Sequence, residues 1–187
     1  WSEGPGGTER AYDPAAHPAS DGGYKNGYET CEGKKVAKNV MTVGSVSNVV
    51  SEGSRNVETA SLSATSSTGP TDDGRIKPDL VGNGAFLYSA WSAPELFGLA
   101  AGTSQAAPNV SGSLLLLQEH YQNLNGPGNY MRAATLKALA IHTADEAGAA
   151  PGPDYTFGWG LFNTFSAAKL IGDSSDEHQI IENNLVN

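Results

Sequence analysis

A run of small residues leads directly into four consecutive leucines between positions 102 and 117, and it constrains the fold more than any other stretch. The run opens with a Gly-Thr-Ser sequence that ends at Ser104 and continues through alanines, a proline and a glycine. This spacing predicts a helix over residues 104–121 whose small side chains allow other backbones to approach closely. Because Leu114 to Leu117 would cover every side of that helix, we expect it to lie centrally in the fold.

Ser104 stands where irregular, glycine-containing chain becomes helical, so its hydroxyl would project from the helix N-terminus. The first backbone N–H groups of a helix lack intrahelical acceptors, and the helix dipole adds a partial positive charge there. A negatively charged oxygen developing beside Ser104 would therefore be stabilised, as acyl-transfer chemistry requires. The simpler interpretation is that Ser104 only caps the helix, since serine is common in that position.

The other periodic segments place strands before this helix and further helices after it. β-Branched residues next to glycine predict a buried strand over residues 40–46, alternation predicts a second over 59–67, and a third is expected at 86–90. Helices are expected over 131–144 and 164–171. Strands followed by long helices predict an α/β fold, with too few strands for a complete sheet covered on both faces.

The two later helices carry their own signals. The last one has Asn163 as its expected N-cap, Lys169 in its final turn and Gly172 to close it. The helix over 131–144 should bury one face, made of Leu136, Leu139, Ala140 and Thr143.

Two segments fall outside these elements. Residues 1–35 are rich in Gly, Pro, Asp and Ser with no sustained period, which predicts an irregular loop region. Residues 173–187 are acidic and polar around one Ile-Ile pair. They are either a frayed tail or the start of a further domain.

Composition excludes several classes of function. With 187 residues, 39% hydrophobic and 17% charged, the chain can bury a core. No apolar run approaches the roughly 18 residues of a membrane span. A formal charge of −9 would repel phosphates, so nucleic acid is not an expected partner. Cys31 is the only cysteine, so no intrachain disulfide is possible and the redox compartment is not indicated.

Four segments together resemble the subtilisin-like serine proteases (subtilases, peptidase S8 family). The string Gly-Thr-Ser-Gln-Ala-Ala-Pro at 102–108 is similar to the family's nucleophile motif. The similarity covers roughly residues 36–172, in the family's order. The other matching segments are VAKNVMTVGSV (36–46), SSTGPTDDGRIKPDLV (66–81), and LKALAIHTA (136–144) with FGWGLFNTFSAAKL (157–170). One departure is LVGNG (80–84), where the family has an Ala-Pro-Gly ending, and Asn83 there is expected to be a turn residue.

The resemblance implies an incomplete subtilisin-like fold over residues 1–172, namely the C-terminal portion of the parallel-sheet α/β/α domain with its central helix. It implies a serine endopeptidase that hydrolyses polypeptides through an acyl-enzyme on Ser104. Thr103 and the Ser104 backbone N–H would lie beside the oxyanion hole. It also implies a secreted or cell-surface location.

Two parts of the family's catalytic machinery are not recognisable in the sequence. Only one histidine, His17, precedes Ser104, and neither the family's Asp-Ser/Thr-Gly nor its His-Gly-Thr-His sequence occurs. The oxyanion-hole asparagine in an Ala-Gly-Asn setting is missing as well. A serine hydroxyl needs a base oriented by a third group. We therefore expect the chain to be inactive alone and to depend on a complementary N-terminal part of the catalytic domain.

Two other functions remain open. A Ser-Asp-His hydrolase of another fold would use Ser104, then Asp145 or Asp154, then His178, which is the chain order of α/β-hydrolases. However, its nucleophile elbow requires a glycine where Ala106 stands. A non-catalytic scaffold or pseudoprotease module is the second alternative.

No cofactor site can be assigned from the sequence. Asp72, Asp73 and Asp79 are the acidic residues closest to a cluster. The first two are expected to form a turn with Gly74, and Asp79 to accept a local hydrogen bond. Calcium is implied only by the family resemblance, and no ligands for it can be placed.

Overall fold

The computed structural model describes residues 30–31, 33–47, 49–71, 73–92, 94, 96–149, 151–173 and 180–183. These contain six short strands, three α-helices and two 3₁₀ turns, Gly33–Val36 and Val57–Thr59. The strands are β1 (Val43–Val46), β2 (Val50–Ser51), β3 (Ser54–Arg55), β4 (Leu80–Asn83), β5 (Leu87–Ala90) and β6 (Phe97–Ala100). The helices are α1 (Thr103–Asn125), α2 (Ala133–His142) and α3 (Thr164–Gly172).

A parallel pair of strands, β1 and β4, lies at the centre of the fold. Val43 pairs with Leu80 and Val46 with Asn83, and an isolated parallel bridge adds Leu161 beside Val81. Both strands are buried almost throughout, as expected for parallel strands that are covered on both faces. The predicted α/β class is therefore confirmed.

One face of this pair carries the main core. α1 packs on β4 at Gly82, where a Cβ would lie only 2.7 Å from Val110 Cγ2. The glycine thus sets how closely the helix approaches the strand. The buried residues of this core are Val43, Leu80, Ala106, Val110, Leu117, Met131, Leu139, Ala140, Phe162 and Ala167.

A smaller core covers the opposite face. It consists of Val46, Val49, Val81, Ala147 and Leu161, with the half-buried Leu62 and Phe157 against it. The alternation of Leu80 and Val81 between the two clusters follows from the two-residue period of a strand.

Two antiparallel hairpins flank the central pair. The β2–β3 hairpin turns through Glu52 and Gly53, both with positive φ, the combination that favours a two-residue hairpin loop. The β5–β6 hairpin lies between β4 and α1 and pairs Leu87 with Ala100 and Ala90 with Phe97.

The helix predictions are confirmed with shifted ends. α1 runs about one turn beyond the expected end at 121, because no helix-breaking residue occurs before Gly126. In α2, Leu139 and Ala140 are buried and Thr143 follows the last turn, also buried. Asn163 caps α3 by accepting the Ser166 N–H at 2.9 Å.

The expectation that the leucines of α1 cover every side of a fully packed helix is wrong for the described residues. Leu117 is buried, but Leu115 is 71% and Leu116 61% exposed. Pro108 lies in the second turn of α1. Only the side facing β1, β4, α2 and α3 has covering elements in the part of the chain described.

The strand predictions were less accurate. The first strand begins at Val43 rather than at 40, and the predicted strand over 59–67 is wrong. Within that segment only Leu62 forms a bridge, to Val46, and Ser66 uses its hydroxyl to accept the Ser45 N–H. Two backbone hydrogen bonds flank the bridge, from the Ser47 N–H to Ser61 O at 2.9 Å and from the Ser63 N–H to Ser45 O at 2.8 Å, and they are too few to make the segment a strand.

The chain ends are described only in part. Of the predicted loop region 1–35, residues 1–29 and 32 lie outside the described residues, and a 3₁₀ turn begins at Gly33. Beyond α3, Ile180 packs against the main core and Glu182 accepts the Arg132 N–H at 2.8 Å. No helix among the described residues is long and apolar enough to cross a membrane.

Candidate active site

The N-terminus of α1 is built on two close backbone approaches. Gly102 has φ 134°, a conformation that favours glycine, and its N–H donates to the Gly84 carbonyl at 2.7 Å. Gly84 in turn donates to Val46 O at 3.2 Å. The start of the helix is thereby held at the carboxyl ends of β1 and β4, where α/β proteins place ligands.

Ser104 is the second residue of α1, and its side chain is exposed. The first N–H groups that donate back into the helix are those of Gln105 and Ala106, both to Gly102 O. The N–H groups of Thr103 and Ser104 precede them, and the first turn contains no acidic side chain. The end of the helix therefore presents donors and a positive dipole beside Ser104.

Thr103 lies directly behind this position. It is completely buried, and its Oγ1 makes no hydrogen bond to any described residue. A buried hydroxyl without a partner is costly, on the order of 1–3 kcal/mol. The Thr103 hydroxyl can therefore still donate or accept a hydrogen bond next to Ser104.

A groove of about 440 Å³ runs between the β5–β6 hairpin and the first two turns of α1, and Ser104 lines it. None of the described residues that line it has an acidic, basic or imidazole side chain. The lining residues are Leu87, Tyr88, Ser89, Ala90, Trp91, Gly98, Ala100, Ser104, Gln105, Pro108 and Asn109.

The described histidines do not reach the groove. His120 lies on α1 near Gly172, and His142 is the exposed last residue of α2. His17 and His178 are outside the described residues. The described part of the chain therefore places no imidazole beside Ser104.

The two carboxylates considered for another hydrolase arrangement have other partners. Asp145 pairs with Arg55 at 2.7 Å and accepts from the Asn163 amide at 2.8 Å. Asp154 accepts the N–H groups of Thr156 and Phe157 in a local turn. Neither lines the groove, so the described residues do not assemble that alternative triad.

The acidic residues near positions 72–79 have structural contacts. Asp79 is buried, accepts the Thr42 N–H at 2.7 Å and pairs with Lys77 and Lys137. Asp73 is exposed, and its hydrogen bonds with Arg75 and then Thr71 lower its pKa to about 2. Asp72 lies outside the described residues. Among the described residues, no cluster of His, Cys, Asp or Glu could hold a metal ion.

Some features of the site were predicted, and others were missed. Asn83 ends β4 and accepts the Ala85 N–H at 3.2 Å, which is the turn role expected for it. The groove wall formed by Trp91 and β6 was not foreseen. The only sequence signal for it is Gly98, which faces Trp91 and stands between the large residues Phe97 and Leu99.

Solved structures of proteases share this fold. The CspB protease of Clostridium perfringens is 27% identical, with a TM-score of 0.61, over 80% of this chain and 30% of that chain. Fervidolysin from Fervidobacterium pennivorans, a keratinolytic enzyme related to subtilisin, is 20% identical with a TM-score of 0.53, over 70% and 19%. A lanthipeptide protease is 20% identical with a TM-score of 0.55, over 74% and 43%.

The chain thus spans less than half of the length of each of these proteases, and its fold corresponds to part of theirs. A family model described as the subtilase family matches residues 7–160. Because that match covers well over half of the 187 residues, the chain belongs to the subtilase family.

Proposed function

We propose that this chain carries the nucleophile of a subtilisin-type serine endopeptidase and that the nucleophile is Ser104. The observation that carries the proposal is the position of Ser104, exposed at the N-terminus of a 23-residue helix and lining a groove. Family membership and the protease neighbours support the same chemistry. By the same resemblance, we propose a secreted or cell-surface location.

In this proposal Ser104 Oγ attacks the carbonyl carbon of a peptide bond while a base takes the hydroxyl proton. The oxyanion that forms is stabilised by the Ser104 N–H and the positive end of α1. Collapse of the tetrahedral species breaks the C–N bond, and the leaving amine takes the proton from the base. Water then attacks the acyl-enzyme, giving a carboxylic acid and regenerating Ser104.

The base and its orienting acid come, in this proposal, from a complementary N-terminal part of the catalytic domain. Among the described residues, the groove lining holds neither group, which agrees with this proposal. Loss of one oxyanion donor alone costs roughly 10²–10³ in rate, and loss of the base adds to that. The chain by itself is therefore expected to have negligible peptidase activity.

The surface of α1 supports a role for such a partner. Leu115 and Leu116 expose most of their area on the side of α1 that no described element covers. Among the described residues the parallel sheet also has only two strands, fewer than the roughly 4–6 strands most common in sheets. A segment that extends the sheet and covers these leucines would bury both features.

The test is labelling with a fluorophosphonate, which reacts with activated serines. The chain alone should label slowly or not at all, and addition of the complementary polypeptide should give stoichiometric labelling at Ser104. Ser104→Ala should abolish that labelling. Ser111→Ala, an exposed serine further along α1, should not change it. Rapid labelling of Ser104 in the chain alone would contradict the need for a partner.

The non-catalytic alternative predicts a different result. If the protein is a scaffold, Ser104→Ala in the assembled protein should leave its cellular behaviour unchanged. If it is a protease, the same substitution should abolish hydrolysis of polypeptide substrates.

A further inference from the structure

Trp91 forms one wall of the groove that Ser104 lines, and its indole ring packs against Gly98. A Cβ on Gly98 would lie 3.2 Å from Trp91 Cε3 and within 3.6 Å of two neighbouring ring carbons. The indole therefore lies directly over the backbone of β6. Trp91 is nevertheless 50% exposed, so a large part of its surface is available to whatever enters the groove.

The hairpin has two different faces because side chains alternate along a strand. Tyr88 and Phe97 stack on one face, with ring centroids 5.8 Å apart. The opposite face carries Leu87 and three small residues, Ser89, Gly98 and Ala100, and these four line the groove together with Ser104. Small residues there leave room for a ligand side chain beside the Trp91 ring.

We propose that Trp91 and this small-residue face form a subsite for an uncharged apolar side chain, preferably aromatic, of the polypeptide substrate next to the bond that Ser104 attacks. This inference rests on the proposed protease function. It adds a specificity-determining residue, Trp91, to that function.

The chemistry of the groove favours this occupant over a charged one. None of the described lining residues carries a charge that could neutralise a carboxylate or an ammonium group, and a charge without a counter-ion is costly to desolvate. The volume of about 440 Å³ falls within the roughly 300–1,000 Å³ of small-ligand sites. An aromatic side chain would gain ring contact with the indole as well as burial.

The first test profiles cleavage of a peptide library by the catalytically complete protein, meaning this chain with the polypeptide that supplies the base. One substrate position adjacent to the cut should prefer Phe, Tyr or Leu over Asp and Lys. Trp91→Ala should reduce that preference about 10- to 100-fold at that position only, the range for a hydrophobic contact in a subsite. Trp91→Phe should retain most of it.

The matched control is Trp159→Ala. Trp159 is 45% exposed and lies outside the groove, so its loss should not alter the preference. Should Trp91→Ala fail to fold, Gly98→Ala provides a second variant, because its Cβ displaces the indole without removing it. An unchanged preference in the folded variants would overturn the inference.

A second measurement separates the two proposals. In the ¹⁵N-labelled 187-residue chain, N-acetyl-phenylalaninamide should shift the indole N–H resonance of Trp91, assigned by its absence in Trp91→Phe. N-acetyl-aspartamide should not shift it.

Hydrolysis that does not depend on Trp91 refutes the subsite alone. A ligand-induced shift without any hydrolysis refutes the protease function and leaves the ligand preference of the groove intact. No shift with either probe refutes that preference.

Discussion

The Gly102 N–H donates a 2.7 Å hydrogen bond to the Gly84 carbonyl, and this bond closes the chain around the whole β5–β6 hairpin. A Cβ on Gly84 would collide with Ser45 Oγ and lie 2.5 Å from Gly102 O and 3.1 Å from Ala106 Cβ. The location of Ser104 therefore depends on the absence of a side chain at Gly84.

Gly84→Ala should lower the free energy of unfolding by about 1–3 kcal/mol, because the added methyl group overpacks a close backbone contact. Urea denaturation measures the change. Gly112→Ala is the control, since no atom lies within 4 Å of its Cβ position and alanine stabilises a helix interior by up to about 1 kcal/mol. Equal effects of the two substitutions would show that Gly84 is not a tight contact.

Thr103→Val should separate stability from activity. The valine fills the same buried space and removes a hydroxyl that has no described partner, so stability should stay equal or rise. If the hydroxyl serves the oxyanion, kcat should fall about tenfold or more with KM little changed. Thr103→Ser, which keeps the hydroxyl, should recover kcat. A valine variant with full activity would exclude Thr103 from the oxyanion hole.

Asp79 is expected to be the most sensitive carboxylate to substitution. It is paired with Lys77, whose side chain is only 3% exposed, and with Lys137. Asp79→Asn leaves buried positive charge without its counter-ion and should cost about 3–5 kcal/mol in urea denaturation at neutral pH. Asp73→Asn is the control because that side chain is 53% exposed, and its effect should be much smaller. Similar midpoints for the two variants would contradict this assignment.

The sequence predicts the helices and the location of Ser104 well because those signals are local. Each of these signals depends on only a few residues nearby in the sequence. They are a glycine before a helix, the Asn163 cap and a set of apolar residues on one side of a helix. The parallel pair of β1 and β4 could be anticipated only as two buried segments. Its register depends on residues about 37 positions apart, such as Val43 and Leu80, which local patterns do not record.

The groove could not be predicted for a related reason. β6 has the sequence Phe-Gly-Leu-Ala, in which exposed and half-buried positions are all apolar, so the two-residue period is hidden. The exposure of Leu115 could not be predicted either. The burial of a leucine on α1 depends on which elements cover the helix and not on the helix sequence. The Gly-Thr-Ser motif points to Ser104 as the proposed nucleophile, whereas no motif of the sequence indicates the groove wall formed by Trp91.

Acid should weaken the loop that contains Asp73. Hydrogen bonds from Arg75 and then Thr71 lower the pKa of Asp73 from 3.8 to about 2. Between those values the unfolded chain binds more protons than the folded chain, so this contribution to stability is lost as pH falls from about 4 to 2. Asp73→Asn should flatten the dependence of the urea midpoint on pH in that window. Arg75→Gln should flatten it too, with an added pH-independent loss because Arg75 also bonds Val36 O. An unaltered profile in both variants would rule out this linkage.

Charged residues in place of the exposed leucines of α1 should block assembly without unfolding the chain. Leu115→Glu and Leu116→Glu alter side chains that are 71% and 61% exposed, so the free energy of unfolding should change by less than about 0.5 kcal/mol. Leu117→Ala, at 1% exposure, should instead cost about 2–5 kcal/mol. In sedimentation experiments the glutamate variants should self-associate less than the parent chain, and the complementary polypeptide should no longer restore fluorophosphonate labelling of Ser104. Full restoration by that polypeptide would mean that this face of α1 is not where the partner binds.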